Sequence, residues 1–312
     1  MPFIGRQPTP VPLTSSDITD GIVTTAKIAD DAVGNTKLDL SANYTFTGTV
    51  TSKNGKQIGG LIISNDGTDA DHDLVIASGV ARDYSDSTTI ELTSSITKQI
   101  DASWTVGTNQ GGLDTGSVSA SSLYGIYLIR RSDTGVVDVL ISLDTTPNLA
   151  TGTKPTNYDQ WRLIGVCWTD SSSNVSPMLQ TGDVFEKFDF VHDIVDTSIT
   201  NLTFETATIR CPSLCEARLQ GRANNSGGSG GYGRTLDIRT KGSNKGANET
   251  FAIIGFNGDG STTGVNADAQ HGLITVLVNS DKQIEYCVRE HNGSSQAQIG
   301  VLSVNMLTRS NP

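Results

Sequence analysis

The stretch NDGTDADHD, residues 65–73, comes nearest in residue type to a metal site. It places carboxylate and amide oxygens, the ligands that Ca²⁺ prefers, close together in the chain. It lacks the spacing of an EF-hand loop and has no glutamate in the bidentate position. We therefore predict a solvated turn between two strands, with no bound metal. The weaker alternative is a calcium site formed by Asp66, Asp69, Asp71 and Asp73.

The other residues capable of catalysis form no recognisable set. The histidines, at positions 72, 192, 271 and 291, are far apart and make no HxH or HExxH pair. There is no GxSxG nucleophile elbow and no Walker A loop. The glycine-rich GFNGDGSTTG (255–264) lies among strands, whereas a phosphate cradle needs a following helix. We predict no cofactor and no enzymatic activity. A carboxylate pair that cleaves glycans remains open, because folding can bring any Asp and Glu together.

The four cysteines do not have the pattern of a metal site or of a disulfide scaffold. In the segment CPSLC, Cys211, Ser213 and Cys215 would share one face of a strand. The two cysteines are then expected to be small buried apolar residues. A metal or redox role for this segment is the alternative.

Composition and charge exclude several classes of partner. The net charge is −11 with 22 Lys and Arg, and no basic stretch exceeds the "IRR" at 129–131. Binding to a phosphate backbone is therefore not expected, and we predict no nucleic-acid partner. No apolar run is long enough to cross a bilayer, and the first residues lack a secretion-signal pattern, so no membrane insertion is expected. Thr, Val and Ile in short runs broken by Gly, Asn and Asp favour an all-β fold.

The first residues, MPFIGRQPTPVPLT (1–14), predict an extended arm, because four prolines prevent a helix or a central strand. Extended arms with apolar anchors usually dock on another protein, and a disordered tail is the alternative. The residues expected to attach the arm are Phe3, Ile4, Arg6 and Pro8.

The next segment, ITDGIVTTAKIADDAVGNTK (18–37), is a ten-residue unit that occurs twice. Its apolar positions fit neither a helical nor a strand period. A unit with so few apolar side chains cannot bury them alone, and a slender closed homo-oligomer would cover them. A linker with an accidental repeat is the alternative. The apolar residues expected to line this shaft are Ile18, Val23, Ile28, Val33 and Leu38.

The remainder alternates in the manner of strands. We divide it into a shaft and β-hairpin (15–58), a β-rich middle domain (59–188) and a C-terminal β-sandwich or jelly-roll domain (189–312). Two apolar runs around Ser-Asp-Thr-Gly predict a hairpin over 124–143, and Asn-Ser-Asp-Lys (279–282) predicts the turn of another. Trp104, Trp161 and Trp168 lie in strand-like runs and are expected in the core.

Several of these motifs resemble phage tail fibres. MPFIGRQP resembles the anchoring N-termini of fibres from short-tailed phages, and 18–37 followed by NYTFTGTVTS is similar to fibre shaft repeats, especially those of aquatic phages. GLIISNDGTDADHDLVIASG, LDTGSV (113–118), IYLIRRSDTGVVDVLIS (126–142) and NYDQWRLIGV (157–166) resemble a region widespread in phage tail proteins. The final strands of its usual C-terminal β-domain are similar to IEYCVREHNGSSQAQIGVLSV.

The resemblance implies a homotrimeric virion protein of the phage tail, made in the host cytoplasm. Residues 1–40 would attach it to tail proteins such as an adaptor or a nozzle, and its C-terminal domain would bind a host-surface glycan or protein, or hold a further fibre subunit. The sequence departs from the family pattern in its shaft of only two units and in aspartates where relatives often carry Asn. A capsid-decorating or tail-adaptor protein without receptor binding is the alternative.

Receptor binding of this kind uses exposed aromatic and polar loop residues. The segment NNSGGSGGYG (224–233) predicts a flexible loop at the rim of the C-terminal domain. The candidate receptor-loop residues are Asn225, Tyr232, Phe256 and Asn257.

Overall fold

The structure is a computed structural model of the 312-residue chain. It describes residues 58–149, 154–197, 199, 203–225, 234–243, 253–256, 272–289 and 295–306. The arm and shaft residues named above lie outside the described residues, so their roles stay predictions.

The described residues form β-strands and connections, without a helix among them, which confirms the all-β prediction. The first half of the strands are β1 (Ile58–Gly60), β2 (Ile63–Asn65), β3 (Asp73–Ile76), β4 (Gly79–Arg82), β5 (Thr89–Leu92), β6 (Ile96–Ser103), β7 (Gln110–Leu113), β8 (Leu123–Arg131), β9 (Val137–Ser142) and β10 (Tyr158–Trp168). The second half are β11 (Met178–Thr181), β12 (Val184–Lys187), β13 (Ile194–Asp196), β14 (Glu205–Thr208), β15 (Glu216–Asn225), β16 (Arg234–Thr240), β17 (Ile253–Phe256), β18 (Gly272–Leu277), β19 (Gln283–Arg289) and β20 (Ser295–Asn305).

A seven-stranded sheet, in the order β10-β8-β9-β7-β6-β3-β2, dominates the first part of the chain. The strands β8 and β9 form the hairpin that was predicted over 124–143. The strands β8 and β10 are buried along most of their length. This fits their nearly continuous apolar runs, which are typical of strands covered on both faces. A three-stranded sheet, β1-β4-β5, accompanies it.

The six-stranded and four-stranded sheets contain the later strands. The six-stranded sheet has the order β11-β12-β20-β15-β18, with β13 also paired to β20, and the four-stranded sheet has the order β14-β19-β16-β17. Both contribute buried side chains to one core, such as Leu219 and Val301 from one sheet and Leu236 and Tyr286 from the other. The strands β11 and β12 belong to the middle domain of our division by sequence, and they pair here with the sheet of the final strand.

The turn predicted at 279–282 exists, but the hairpin predicted around it does not. β18 pairs with β15, whereas β19 pairs with β14 and β16 in the other sheet. Asn279 Oδ1 accepts the amides of Asp281 and Gln283, and Lys282 has a left-handed φ of 61°. The connection therefore carries the chain from one sheet to the other. The same turn residues also occur in hairpins, so they do not distinguish the two cases.

Gly165 marks the contact between the seven-stranded and six-stranded sheets. A Cβ at this position would lie 2.4 Å from Ile63 Cδ1 and 2.8 Å from Phe185 Cε1. Ile63 belongs to β2 and Phe185 to β12, and both are buried. The register of β10 against β8 also shifts between Leu163 and Gly165. A residue without a side chain is needed here because three strands approach one another closely.

Candidate functional site

The acidic segment forms a compact turn between β2 and β3. Asp66 Oδ1 accepts the amides of Thr68 at 2.7 Å and Asp69 at 3.2 Å. His72 Nδ1 lies 3.1 Å from Asp69 Oδ1, and the Asp66 amide donates to the Asp73 carbonyl at 2.9 Å. The turn is closed by its own hydrogen bonds, as an Asx-turn is.

Two carboxyl groups of this turn have pKa values shifted in opposite directions. The Thr68 and Asp69 amides hold the pKa of Asp66 below its ordinary value. Partial burial and then the neighbouring Asp69 carboxylate raise the pKa of Asp73. Within the described ranges, no group of three or more His, Cys, Asp or Glu is arranged to hold a metal ion. The calcium alternative, which names Asp66, Asp69, Asp71 and Asp73, gains no support from this geometry.

The cysteines are buried, as predicted, but the CPSLC segment is not a strand. Cys211 and Cys215 are 0% and 1% exposed, and Leu214 between them has a left-handed φ of 54°. Pro212 and this turn prevent the strand expected here. A hydrogen bond with Cys215 and then burial raise the pKa of Cys211, and burial raises the pKa of Cys167 to about 12. Buried thiols in this state are poor nucleophiles.

A lysine–aspartate pair lies in the core of the seven-stranded sheet. Lys98 and Asp138 are both 0% exposed, and Lys98 Nζ lies 3.2 Å from Asp138 Oδ1. Lys98 also donates to the carbonyls of Thr105 and Gly107, at 2.7 and 3.2 Å. Burial lowers the pKa of Lys98, and Asp138 opposes that shift. Through these hydrogen bonds the pair holds the 104–109 connection. Because no surface of either side chain is exposed, the pair has no access to a substrate.

The tryptophans are used for packing. Trp168 is fully buried, and its Nε1 donates to the Arg210 carbonyl at 3.0 Å. Trp161 is half-buried, with the Tyr84 ring at 6.0 Å and nearly parallel, and with Lys154 Nζ 3.3 Å from its centroid. Trp168 therefore lies in the core, as predicted, whereas Trp104 and Trp161 are partly buried and pack against it.

Two of the candidate receptor-loop residues, Asn225 and Phe256, lie at the ends of strands and not in the predicted loops. Asn225, the last residue of β15, pairs with Ser295, the first residue of β20. Phe256, the last residue of β17, pairs with Arg234, the first residue of β16. β16 also pairs with the end of β19, at Thr235 and Arg289. Tyr232 and Asn257 lie outside the described residues.

Sequence reasoning missed a set of exposed aliphatic residues on the six-stranded sheet. Leu179 is 51% exposed, Val184 37%, and Leu273 and Leu277 are each 55% exposed. The signal was in the sequence: GLITVL in β18 has apolar residues on both faces of the strand. A half-buried strand normally alternates between apolar and polar residues, so its outward leucines required an explanation.

Among the described residues, no helix is long enough and apolar enough to cross a membrane.

Comparisons with known proteins assign no family. No family model matches the chain, and no curated protein matches it. Among solved structures, the chain is similar to the isomalto-dextranase of Arthrobacter globiformis T6 complexed with panose, at 14% identity and a TM-score of 0.20. That alignment covers 60% of this chain and 35% of the other, so the chain spans only about a third of that protein. A likeness at this score carries no argument about fold or activity.

Proposed function

We propose that the protein is a structural component of a phage tail: a homotrimeric fibre without enzymatic activity. Residues 1–40 attach it to an adaptor or nozzle, and the C-terminal part faces the host. The observation that carries this proposal is the repeat at 18–37, whose apolar residues are too few to be buried within one chain. Its resemblance to fibre shaft repeats, with the arm before it, supplies the class of protein.

The arrangement of the strand ends supports a receptor-binding role for the C-terminal part. Rigid sheets that display several connections at one end are a common way to build a binding surface. Asn225 and Phe256 end two strands of the C-terminal part, β15 and β17. We propose that Tyr232 and Asn257 complete the surface, which binds a glycan or a protein of the host envelope.

The experiment uses a variant that lacks residues 1–14, with the full chain as its control. Because the proposed attachment arm is deleted while the shaft is kept, we expect this variant to remain a trimer and to block phage adsorption to host cells. We also expect it to be absent from assembled virions, in contrast to the full chain. If deletion of the whole protein leaves adsorption intact and instead weakens the capsid, the protein is a decoration protein and the proposal is wrong.

Release of oligosaccharides from host envelope preparations would contradict the absence of enzymatic activity. The measurement is made with the full chain, and the products are separated from intact polysaccharide. The fibre proposal predicts unchanged polysaccharide length.

A further inference from the structure

One face of the six-stranded sheet is turned to solvent. Along β15, Ala217 and Leu219 are buried, while Glu216 and Arg218 point to the opposite face. The same alternation holds in β18, where Ile274 and Val276 are buried and their neighbours are exposed. We call the solvent-turned side the outer face.

The strand register arranges the outer face in rows across the sheet. The first row consists of Val184, Asn305, Glu216 and Leu277, on β12, β20, β15 and β18 in that order. The second row consists of Leu179, Glu186, Ser303, Arg218 and Thr275. The third row contains Gln220 and Leu273.

The two margins of the outer face are apolar and its centre is polar. Leu179 and Val184 form the β11–β12 margin, and Leu273 and Leu277 form the β18 margin. Between them, Asn305 Nδ2 donates to Glu216 Oε2 at 3.2 Å. Asn305 and Glu216 thus satisfy one another, whereas the aliphatic side chains of the margins remain in contact with water. Exposed apolar groups bounded by polar residues are typical of protein interaction sites.

Each margin also has a charged residue, and the two charges are opposite. Glu186 lies beside Leu179 and Val184, and Arg218 lies beside the leucines of β18. Both side chains are exposed, and neither forms an ion pair among the described residues. Two strand spacings separate their backbones, about 10 Å. The β11–β12 margin therefore offers aliphatic groups with a carboxylate, and the β18 margin offers aliphatic groups with a guanidinium.

We infer that the β11–β12 margin of one copy contacts the β18 margin of another copy, with Glu186 facing Arg218 of that copy. The partner is a second copy of this chain, because the two margins complement each other in both apolar character and charge. A contact between two identical margins would place Glu186 against Glu186, or Arg218 against Arg218, which is unfavourable. Reciprocal contacts of both margins about a two-fold axis give a dimer, whereas a contact made in one direction only is heterologous and forms a ring where the rotation closes. That the ring closes after three copies rests on the proposed function.

The contact is tested by cross-linking the full-length variant L179C/L277C with a short bis-maleimide. The native cysteines that the structure describes are all buried, so the reagent should react first with the introduced ones. Residues 179 and 277 stand four strand spacings apart in one chain, about 19 Å, which a short reagent does not span. We expect covalent multimers. The matched control V136C/L143C has exposed positions on either side of β9, about 23 Å apart along the strand, and is expected to stay uncross-linked.

Charge exchange tests the pairing of Glu186 with Arg218. In the cysteine background, E186R and R218E should each lower the rate of cross-linking about tenfold, because like charges then face each other. The double variant E186R/R218E restores opposite charges and should restore the rate. A rate that is unchanged in both single variants, or a double variant as slow as the single ones, would overturn the inference.

The outcomes separate this inference from the proposed function. A trimeric mass without cross-linking between 179 and 277 contradicts the contact and leaves the trimer intact. Cross-linking that stops at dimers supports the contact and contradicts the trimer.

Discussion

At the residue scale, Asp83 shows how one carboxylate fixes a connection. It is 4% exposed and lies between β4 and β5, where its Oδ1 accepts the amides of Ser87 and Thr88, both at 2.7 Å. Its other oxygen accepts from the Ser85 hydroxyl. Burial opposes ionisation of Asp83, but these hydrogen bonds prevail and lower its pKa. The turn therefore depends on the charged form of the side chain.

This dependence gives Asp83→Asn a pH-sensitive effect. A carboxyl whose pKa is lowered by folding stabilises the folded state fully above its unfolded value, near pH 4, and the gain is lost as the pH falls through the lowered pKa. We expect the variant to lose about 1–2 kcal/mol of unfolding free energy at pH 7. The difference from wild type should shrink below about pH 4. Urea unfolding measured at pH 7 and below about pH 4 checks this. The control is Asp71→Asn, which changes an exposed aspartate. A difference that is equal at both pH values would contradict the assignment.

At the element scale, the connection between β6 and β7 is the least expected part of the fold. These neighbouring strands are parallel, yet only residues 104–109 join them. Parallel strands usually need a crossover of about a dozen residues or more. The Lys98 ammonium holds this short connection by two of its carbonyls, and Asp138 Oδ2 accepts the Gly107 amide at 2.7 Å.

Lys98→Met should therefore be strongly destabilising. It leaves Asp138 buried without its cation, which costs about 3–5 kcal/mol when one partner of a buried pair is removed. The control Lys241→Met removes a lysine whose hydrogen bond, to Thr206, is exposed, and it should cost about 1 kcal/mol or less. Urea unfolding of both variants provides the comparison. If Lys98→Met were as mild as the control, the pair would not hold the connection.

Gly165→Ala tests the contact between the sheets. The added methyl group would collide with Ile63 and Phe185, and overpacking of this kind costs about 1–3 kcal/mol. Gly67→Ala, where nothing lies within 4 Å of the new atom, is the matched control. Thermal unfolding should show a clear loss for the first variant only. The background Ile63→Val/Phe185→Leu removes both contacting groups and should reduce the cost of the added methyl group, and an undiminished cost in that background would place the collision elsewhere.

These elements also show how far the sequence could predict the fold. The hairpin at 124–143 was predictable because its turn and apolar runs are local signals. The buried lysine had a signal that was overlooked, since Lys98 occupies the same strand phase as the buried Ile96 and Ile100. The route taken after 279–282 was not predictable, because a turn sequence does not determine which sheet the next strand joins.

At the scale of the whole molecule, both the repeat at 18–37 and the outer face of the six-stranded sheet bear on contacts between copies of the chain. The repeat at 18–37 calls for neighbouring chains, and the outer face of the six-stranded sheet offers complementary margins for them. The sequence analysis did not identify that face, although the apolar residues on both faces of β18 were a signal for one of its margins. The receptor-loop residues are predicted from loop composition, and the structure places two of them, Asn225 and Phe256, at the ends of strands β15 and β17.

The most direct test of this account is the mass of the full-length chain in solution, measured by light scattering at micromolar concentration. The account predicts a single species of three times the 32.9 kDa chain mass. This prediction follows from the proposal that neighbouring copies cover the apolar residues of the short repeat. A single species with the mass of one chain would contradict the homotrimer on which the proposed function rests.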